Sequence, residues 1–179
     1  MGAEERSPRI AICPGSYDPV TFGHLNIIER AAAIFDKVVV VVSTNTDKRS
    51  TFTPAERADM LRKVTAGMPN VAVDIHEGLV AEYAKTQGAC TLVKGLRAVT
   101  DFEYEFQMAL INQKLNPELE TIFVTTDMRF MYLSSSAVRE IAKYGGDLSD
   151  FVPPEIMGTI AERYHNHPSF TERSKGYDD

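Results

Sequence analysis

A chain of 179 residues fits one domain with a substantial core, and 44% hydrophobic with 25% charged residues excludes a disordered or fibrous polymer. The formal net charge of −6 repels polyanions, so no nucleic-acid partner is expected, although a few local cations can still hold a small phosphorylated ligand. No apolar run approaches a membrane span and the opening residues, MGAEERSPR, lack a secretory signal's apolar core, so no membrane partner and a cytoplasmic location are expected.

The first predicted strand covers residues 10–13 and is closed by Pro14-Gly15. Ile27, Ile28, Ala31 and Phe35 recur at helical spacing and predict a helix over 23–35. Lys37 is followed by an unbroken run, Val38 to Val42; such a strand must be covered on both faces, as in a parallel sheet. A polar loop, 43–52, carries Lys48 and Arg49. Thr53-Pro54-Ala55-Glu56 then opens a helix with an N-cap threonine, a proline at the first helical position and a capping-box glutamate.

Further on, the pattern predicts a strand at 71–75, a short helix at 79–86 and a strand at 91–93 that ends at Lys94-Gly95. A strongly amphipathic helix over 101–115, a strand at 121–124 and a helix over 136–144 stopped by Gly145-Gly146 come next. The last helix runs from about 154 to 165, closing a single domain over 1–165; a polar tail, 166–179, is expected to be frayed. Cys13 and Cys90, each among small and apolar residues, read as two buried free thiols.

Five strands alternating with helices predict an α/β fold: a Rossmann-like, doubly wound, five-stranded parallel sheet with helices on both faces. Ligands of such sheets bind beyond the carboxyl ends of the strands, so the residues just after each strand are the candidates. The first strand runs into Pro14-Gly15-Ser16-Tyr17-Asp18-Pro19-Val20-Thr21-Phe22-Gly23-His24, which puts a hydroxyl at a strand end and an imidazole at a helix start. A ring N–H there can reach a phosphate oxygen beside the helix's own free N–H groups. Asp18 reads as a turn former. Neither a Walker-type phosphate loop nor a dinucleotide glycine fingerprint is present.

Two more clusters suit phosphate. Lys94 and Arg97 flank Gly95-Leu96 at a strand end, a compact cationic clamp, or otherwise a solvated basic loop. Ser134, Ser135 and Ser136 offer hydroxyls and N–H groups at a helix start, one of them serving as an ordinary N-cap. Phe102 and Phe106 read as core or subunit interface.

The 14–24 block resembles the T-x-G-H form of the nucleotidyltransferase motif, shared by cytidylyl- and adenylyltransferases of several substrates. Lys94-Gly95-Leu96-Arg97, Asp101-Phe102-Glu103-Tyr104-Glu105 and Tyr132-Leu133-Ser134-Ser135-Ser136, in this order and spacing, resemble the phosphopantetheine adenylyltransferase family. The resemblance implies that ATP and 4′-phosphopantetheine are converted to dephospho-coenzyme A and pyrophosphate by direct in-line displacement, with no covalent intermediate. It implies catalytic roles for His24, Lys48 and Arg97. ATP would be held by Ser16, Tyr17, His24, Gly95, Leu96, Arg97, Glu105 and the run Phe130, Met131, Tyr132, Leu133, Ser134, Ser135, Ser136. Ser16, Lys48, Val80 and Lys94 would line the acceptor site. Ser16 stands where many relatives carry threonine, and Lys94 where many carry arginine; lysine keeps the charge and loses the two-pronged contact.

Mg²⁺ is the expected cofactor, held by ATP phosphate oxygens and water with no dedicated protein site. A homohexamer is the family's usual assembly. Two rival readings stand beside this one: another small-molecule nucleotidyltransferase, cytidylyl- or adenylyl-, or a non-catalytic nucleotide-binding domain.

Overall fold

The structure, a computed structural model, describes residues 7–44 and 50–165. Its strands are β1 (Ile10–Gly15), β2 (Lys37–Thr44), β3 (Val71–Glu77), β4 (Thr91–Leu96) and β5 (Glu120–Thr125). The helices are α1 (Phe22–Ile34), α2 (Pro54–Val64), α3 (Val80–Thr86), α4 (Val99–Leu115), α5 (Ser135–Lys143) and α6 (Pro154–His165), with a 3-10 turn at Met128–Phe130. All strand pairs are parallel, in the order β3-β2-β1-β4-β5. The α/β, Rossmann-like doubly wound sheet expected from the strand–helix alternation is the fold observed.

The valine run shows why the sheet needs two covers. Val38, Val40 and Val42 pack in one core with residues of α1, α2, α5 and α6, whereas Val39 and Val41 pack in a second with Ala81, Tyr83 and Ala84 of α3. All five are 0–2% exposed, so neither face tolerates a polar residue. Asn70 ties the edge of this layer by donating to the carbonyls of Ala32 and Phe35.

Several strands run further than their sequence punctuation suggests. β1 continues through Pro14 and Gly15, which lie opposite Val41 and Val42 of β2. β4 pairs with β1 only at Ala11 and Ile12. Beyond Ile12 the two strands part, and a proline without an N–H is tolerated where one side of the strand is unpaired. The chain winds outward from β1 to β3, then crosses back to place β4 on β1's other side. The gap between the carboxyl ends of β1 and β4 is therefore the topological switch point.

Two expectations need correction. The 101–115 helix starts at Val99 and is not strongly amphipathic: Phe102, Phe106, Leu110 and Ile111 are 40–53% exposed, and its one buried side chain among those described is Asn112. Its apolar residues spread around the cylinder instead of forming one stripe toward the chain's own core. Cys90 is exposed rather than buried because β4 begins one residue later, at Thr91; Cys13, inside β1, is buried as expected. The 166–179 tail lies outside the described residues, as do Lys48 and Arg49.

Candidate active site

A cleft of about 550 Å³ opens where β1 and β4 part. Of the expected site residues it collects Ser16, Tyr17, His24, Val80, Lys94, Gly95, Arg97, Glu105, Leu133, Ser134, Ser135 and Ser136. They arrive from the β1–α1 loop, the first turn of α1, the start of α3, the end of β4, the second turn of α4 and the start of α5.

The threonine and histidine of the T-x-G-H motif act on each other. Thr21 is the N-cap of α1 and His24 its third helical residue. The Thr21 N–H donates to His24 Nδ1 at 3.1 Å, while Thr21 Oγ1 lies 3.4 Å from the His24 N–H as acceptor. This is a capping box with imidazole in place of the usual glutamate. A backbone amide can only donate, so Nδ1 is the acceptor and the neutral ring carries its proton on Nε2. Burial, reinforced by the Arg97 charge, pushes the His24 pKa down to about 4. At neutral pH His24 is therefore an uncharged N–H donor with a fixed tautomer.

Tyr17 supports this ring from below. Its φ of 48° lies in the left-handed region, and its side chain is 5% exposed. The hydroxyl donates to the Cys13 carbonyl at 2.9 Å, and the ring meets His24 edge-on with centroids 5.2 Å apart. A Cβ on Gly15 would come within 2.9 Å of the Tyr17 ring, which explains glycine there. The Tyr17 hydroxyl is thus spent inside the protein, and what this residue offers the cleft is ring edge and backbone.

At the opposite wall, Arg97 contacts Asp101 through Nε at 3.2 Å and donates from Nη1 to the Leu133 carbonyl at 2.7 Å. The contact spans one turn at the start of α4 and aims the guanidinium toward α5. Lys94 and Glu105 face each other, Nζ to Oε2 3.2 Å, so the residue expected at the acceptor and one expected at the nucleotide meet across the cleft. A Cβ on Gly95 would approach Ile27 Cγ1 to 2.8 Å; glycine lets β4 lie close to α1 one turn past His24.

The serines divide their work. Ser134 is the N-cap of α5 and accepts from the Ala137 N–H at 3.1 Å. The Ser135 hydroxyl donates to the Pro19 carbonyl at 2.8 Å, fastening α5 to the β1–α1 loop. Ser136 accepts from Arg139 at 3.2 Å. The N–H groups of Ser135 and Ser136, in the first turn, lack intrahelical partners and suit an anion.

Other expected residues lie elsewhere. Leu96 and Met131 line a second, apolar hollow of about 490 Å³ with Val99, Phe102 and Met128. Phe130 stacks on Phe22 with centroids 5.9 Å apart, and Tyr132 meets Phe151 edge-on at 6.2 Å. Of the 130–136 run only Leu133 to Ser136 reach the cleft. The cleft also holds Thr21, Ser43, Asp101, Tyr104 and Thr126, which were not expected as contacts. Two of these were legible: Thr21-x-x-His24 has capping-box spacing, and Arg97 with Asp101 is an i,i+4 ion pair.

Asp18 does more than turn the chain. Only 6% exposed, its carboxylate accepts from the Thr51 and Phe52 N–H groups, both at 2.9 Å. Cys13 lies on the cleft floor, where burial pushes its thiol up to about 12, so it supplies no thiolate nucleophile at neutral pH. Among the described residues no cluster of histidine, cysteine or carboxylate suits a metal ion.

The His24 environment carries a testable pH dependence. The folded pKa lies below the unfolded value near 6.5, so the unfolded chain binds the proton first as pH falls. Stability from this group is fully present above about pH 6.5 and drains away toward pH 4, by at most about 1.4 kcal/mol per pH unit. Urea unfolding of the ligand-free protein from pH 7 to 4.5 checks this; a His24→Gln chain should lose that part of the slope.

Comparison with known proteins agrees with the geometry. The cytidylyltransferase-like family model matches residues 12–141. The phosphopantetheine adenylyltransferase of Caldanaerobacter subterraneus subsp. tengcongensis is 54% identical over 87% of this chain and 98% of its own. That of Rubrobacter xylanophilus is 53% identical over 87% and 94%. Among solved structures, a Vibrio parahaemolyticus protein described as a "putative nicotinate-nucleotide adenylyltransferase" superposes with a TM-score of 0.60 over 92% of this chain and 96% of its own; at 18% identity it bears on the fold alone. With relatives about half identical over most of both chains, and the family model matching residues 12–141, this chain belongs to the phosphopantetheine adenylyltransferase family of cytidylyltransferase-like proteins.

Proposed function

We propose that this cleft transfers the adenylyl group of ATP to 4′-phosphopantetheine, releasing pyrophosphate and forming dephospho-coenzyme A. The observation that carries the reading is the convergence of His24, Lys94, Arg97 and the α5 N-terminus on one cleft. In the reaction an acceptor phosphate oxygen forms a bond to the α-phosphorus as the bond from that phosphorus to the bridging oxygen of pyrophosphate breaks. The attacking phosphate is already ionised, so no general base is required, consistent with a neutral His24 that donates rather than accepts. His24 Nε2–H and Arg97 offset charge developing at the α-phosphate, the first-turn N–H groups of α5 receive the leaving pyrophosphate, and Lys94 holds the attacking phosphate. Lys48 is assigned to the acceptor phosphate by resemblance alone.

Mg²⁺ enters this reading as part of the nucleotide. The cleft's two carboxylates, Asp101 and Glu105, are each engaged by a cation, Arg97 and Lys94. They leave no free carboxylate pair, which fits an ion carried on phosphate oxygens and water, where it shields phosphate charge. Chelation with EDTA should therefore abolish turnover while leaving the thermal midpoint of the ligand-free protein unchanged; a fall in that midpoint would instead indicate a structural metal.

Self-assembly into a homohexamer is supported by α4. Its exposed Phe102, Phe106, Leu110 and Ile111 adjoin the apolar hollow lined by Val99, Met128 and Met131, a surface of the kind that a subunit contact covers. No helix among the described residues is long and apolar enough to cross a membrane, consistent with work in the cytoplasm. Incubation with ATP, Mg²⁺ and 4′-phosphopantetheine, followed by mass analysis, tests the activity. Dephospho-coenzyme A with equimolar pyrophosphate is expected; a cytidylyl product from CTP, or none from any nucleotide–acceptor pair, would favour the rivals.

A further inference from the structure

Arg139, on the second turn of α5, bridges Asp18 of the β1–α1 loop, which lies behind the cleft, and Ser136, which lines it. Its Nη1 donates to the Asp18 carbonyl and lies 3.6 Å from Asp18 Oδ2. Its Nη2 donates to Ser136 Oγ at 3.2 Å. Asp18 is itself held on two sides: its carboxylate takes the N–H groups of Thr51 and Phe52, and the nearby Ser16 carbonyl accepts from Arg57 at 2.7 Å. The guanidinium is therefore fixed at its Asp18 end and offers a fixed N–H at the other.

That N–H decides what the Ser136 hydroxyl can do. A free hydroxyl rotates and either donates or accepts. With one lone pair occupied by a permanently charged donor, the O–H proton is turned away from Arg139. Ser136 lines the cleft beside the unpaired first-turn N–H groups of α5. We infer that Arg139 is a positioning residue: held by Asp18, it locks Ser136 as a hydrogen-bond donor to the phosphates that leave as pyrophosphate. It touches no substrate itself. The inference rests on the proposed adenylyl transfer for what occupies that end of the cleft.

A double-mutant cycle separates this role from general support of α5. Pyrophosphate release is measured for the unaltered chain, Arg139→Met, Ser136→Ala and the double variant, with calorimetric binding of inorganic pyrophosphate as a second readout. Either single change should lower kcat about tenfold, the effect of one neutral hydrogen bond, with KM for the acceptor unchanged. In the Ser136→Ala background, Arg139→Met should cost less than about twofold more, in both readouts. Where Arg139→Met fails to fold, Arg139→Lys replaces it, since one ammonium keeps the charge beside Asp18 and cannot span to Ser136. Losses that multiply in full, or an Arg139→Met enzyme with unaltered kcat and pyrophosphate affinity, overturn the inference. A chain that makes no product yet shows the non-additive pyrophosphate cycle would sink the proposed reaction and leave the Arg139–Ser136 relation standing.

Discussion

His24→Ala should leave a folded protein whose turnover falls by about two to three orders of magnitude, the loss of a donor worth roughly 3–4 kcal/mol at the transition state. The structure separates this effect from a second one. His24 Nδ1 is the acceptor for the Thr21 N–H, and Thr21 is only 1% exposed, so alanine also strands a buried amide. A stability loss of about 1–2 kcal/mol should accompany the kinetic one. His24→Gln distinguishes them. Glutamine is the ordinary capping-box partner and returns an acceptor to Thr21, so stability should recover most of the way. Its amide N–H can stand near the position of Nε2–H but without the ring's fixed geometry, so turnover should recover only in part and stay well below that of the unaltered chain. Chemical denaturation and steady-state kinetics on the two variants check both halves. Full turnover in His24→Glu, which can cap Thr21 but carries no N–H, would reduce His24 to a cap.

Arg97→Met is the second large change, again expected to lower kcat about a hundredfold or more. Arg97 holds two relationships at once: it pairs with Asp101 at the start of α4 and donates to the Leu133 carbonyl beside the serine run. Methionine keeps the length of the stem and removes every donor. Lysine restores the charge without the fork, so Arg97→Lys should recover part of the activity and remain about tenfold below the unaltered chain. The informative readout is the division between constants. An effect confined to KM for ATP, with kcat intact, would mean that Arg97 binds ground state and transition state alike and contributes nothing specific to the chemical step.

The parts of this molecule legible in the sequence are those fixed by local pattern. An unbroken valine run demands two covers, and both cores are there. Thr53-Pro54-Ala55-Glu56 carries its helix start in its own side chains, and the capping box forms as written. The cleft clusters were legible because chemistry-bearing residues sit just after strands, and the switch-point geometry gathers strand ends. What failed needed tertiary information. The apolar residues of α4 suggest an amphipathic helix, yet they spread around its cylinder and several face outward, because the second core is filled by α3, Leu92 and Leu119. Phe130, Met131 and Tyr132 adjoin the serine run in sequence, but the 3-10 turn at Met128–Phe130 turns them toward Phe22, the apolar hollow and Phe151. Tyr17 is expected to hold ATP by resemblance alone, and only the left-handed backbone, which swings its hydroxyl inward onto the Cys13 carbonyl, shows what that hydroxyl does.

One measurement bears most directly on the claim that separate strand ends serve a single triphosphate: the structure of the protein soaked with Mg²⁺ and an ATP analogue carrying a methylene between its α- and β-phosphorus atoms. An α-phosphate oxygen is expected within hydrogen-bond reach of His24 Nε2, with Arg97 beside it and the β- and γ-phosphates on the Ser135 and Ser136 N–H groups. A triphosphate seated away from the β1–β4 gap, or an imidazole that releases Thr21 and presents Nδ1 to the phosphate, would contradict it.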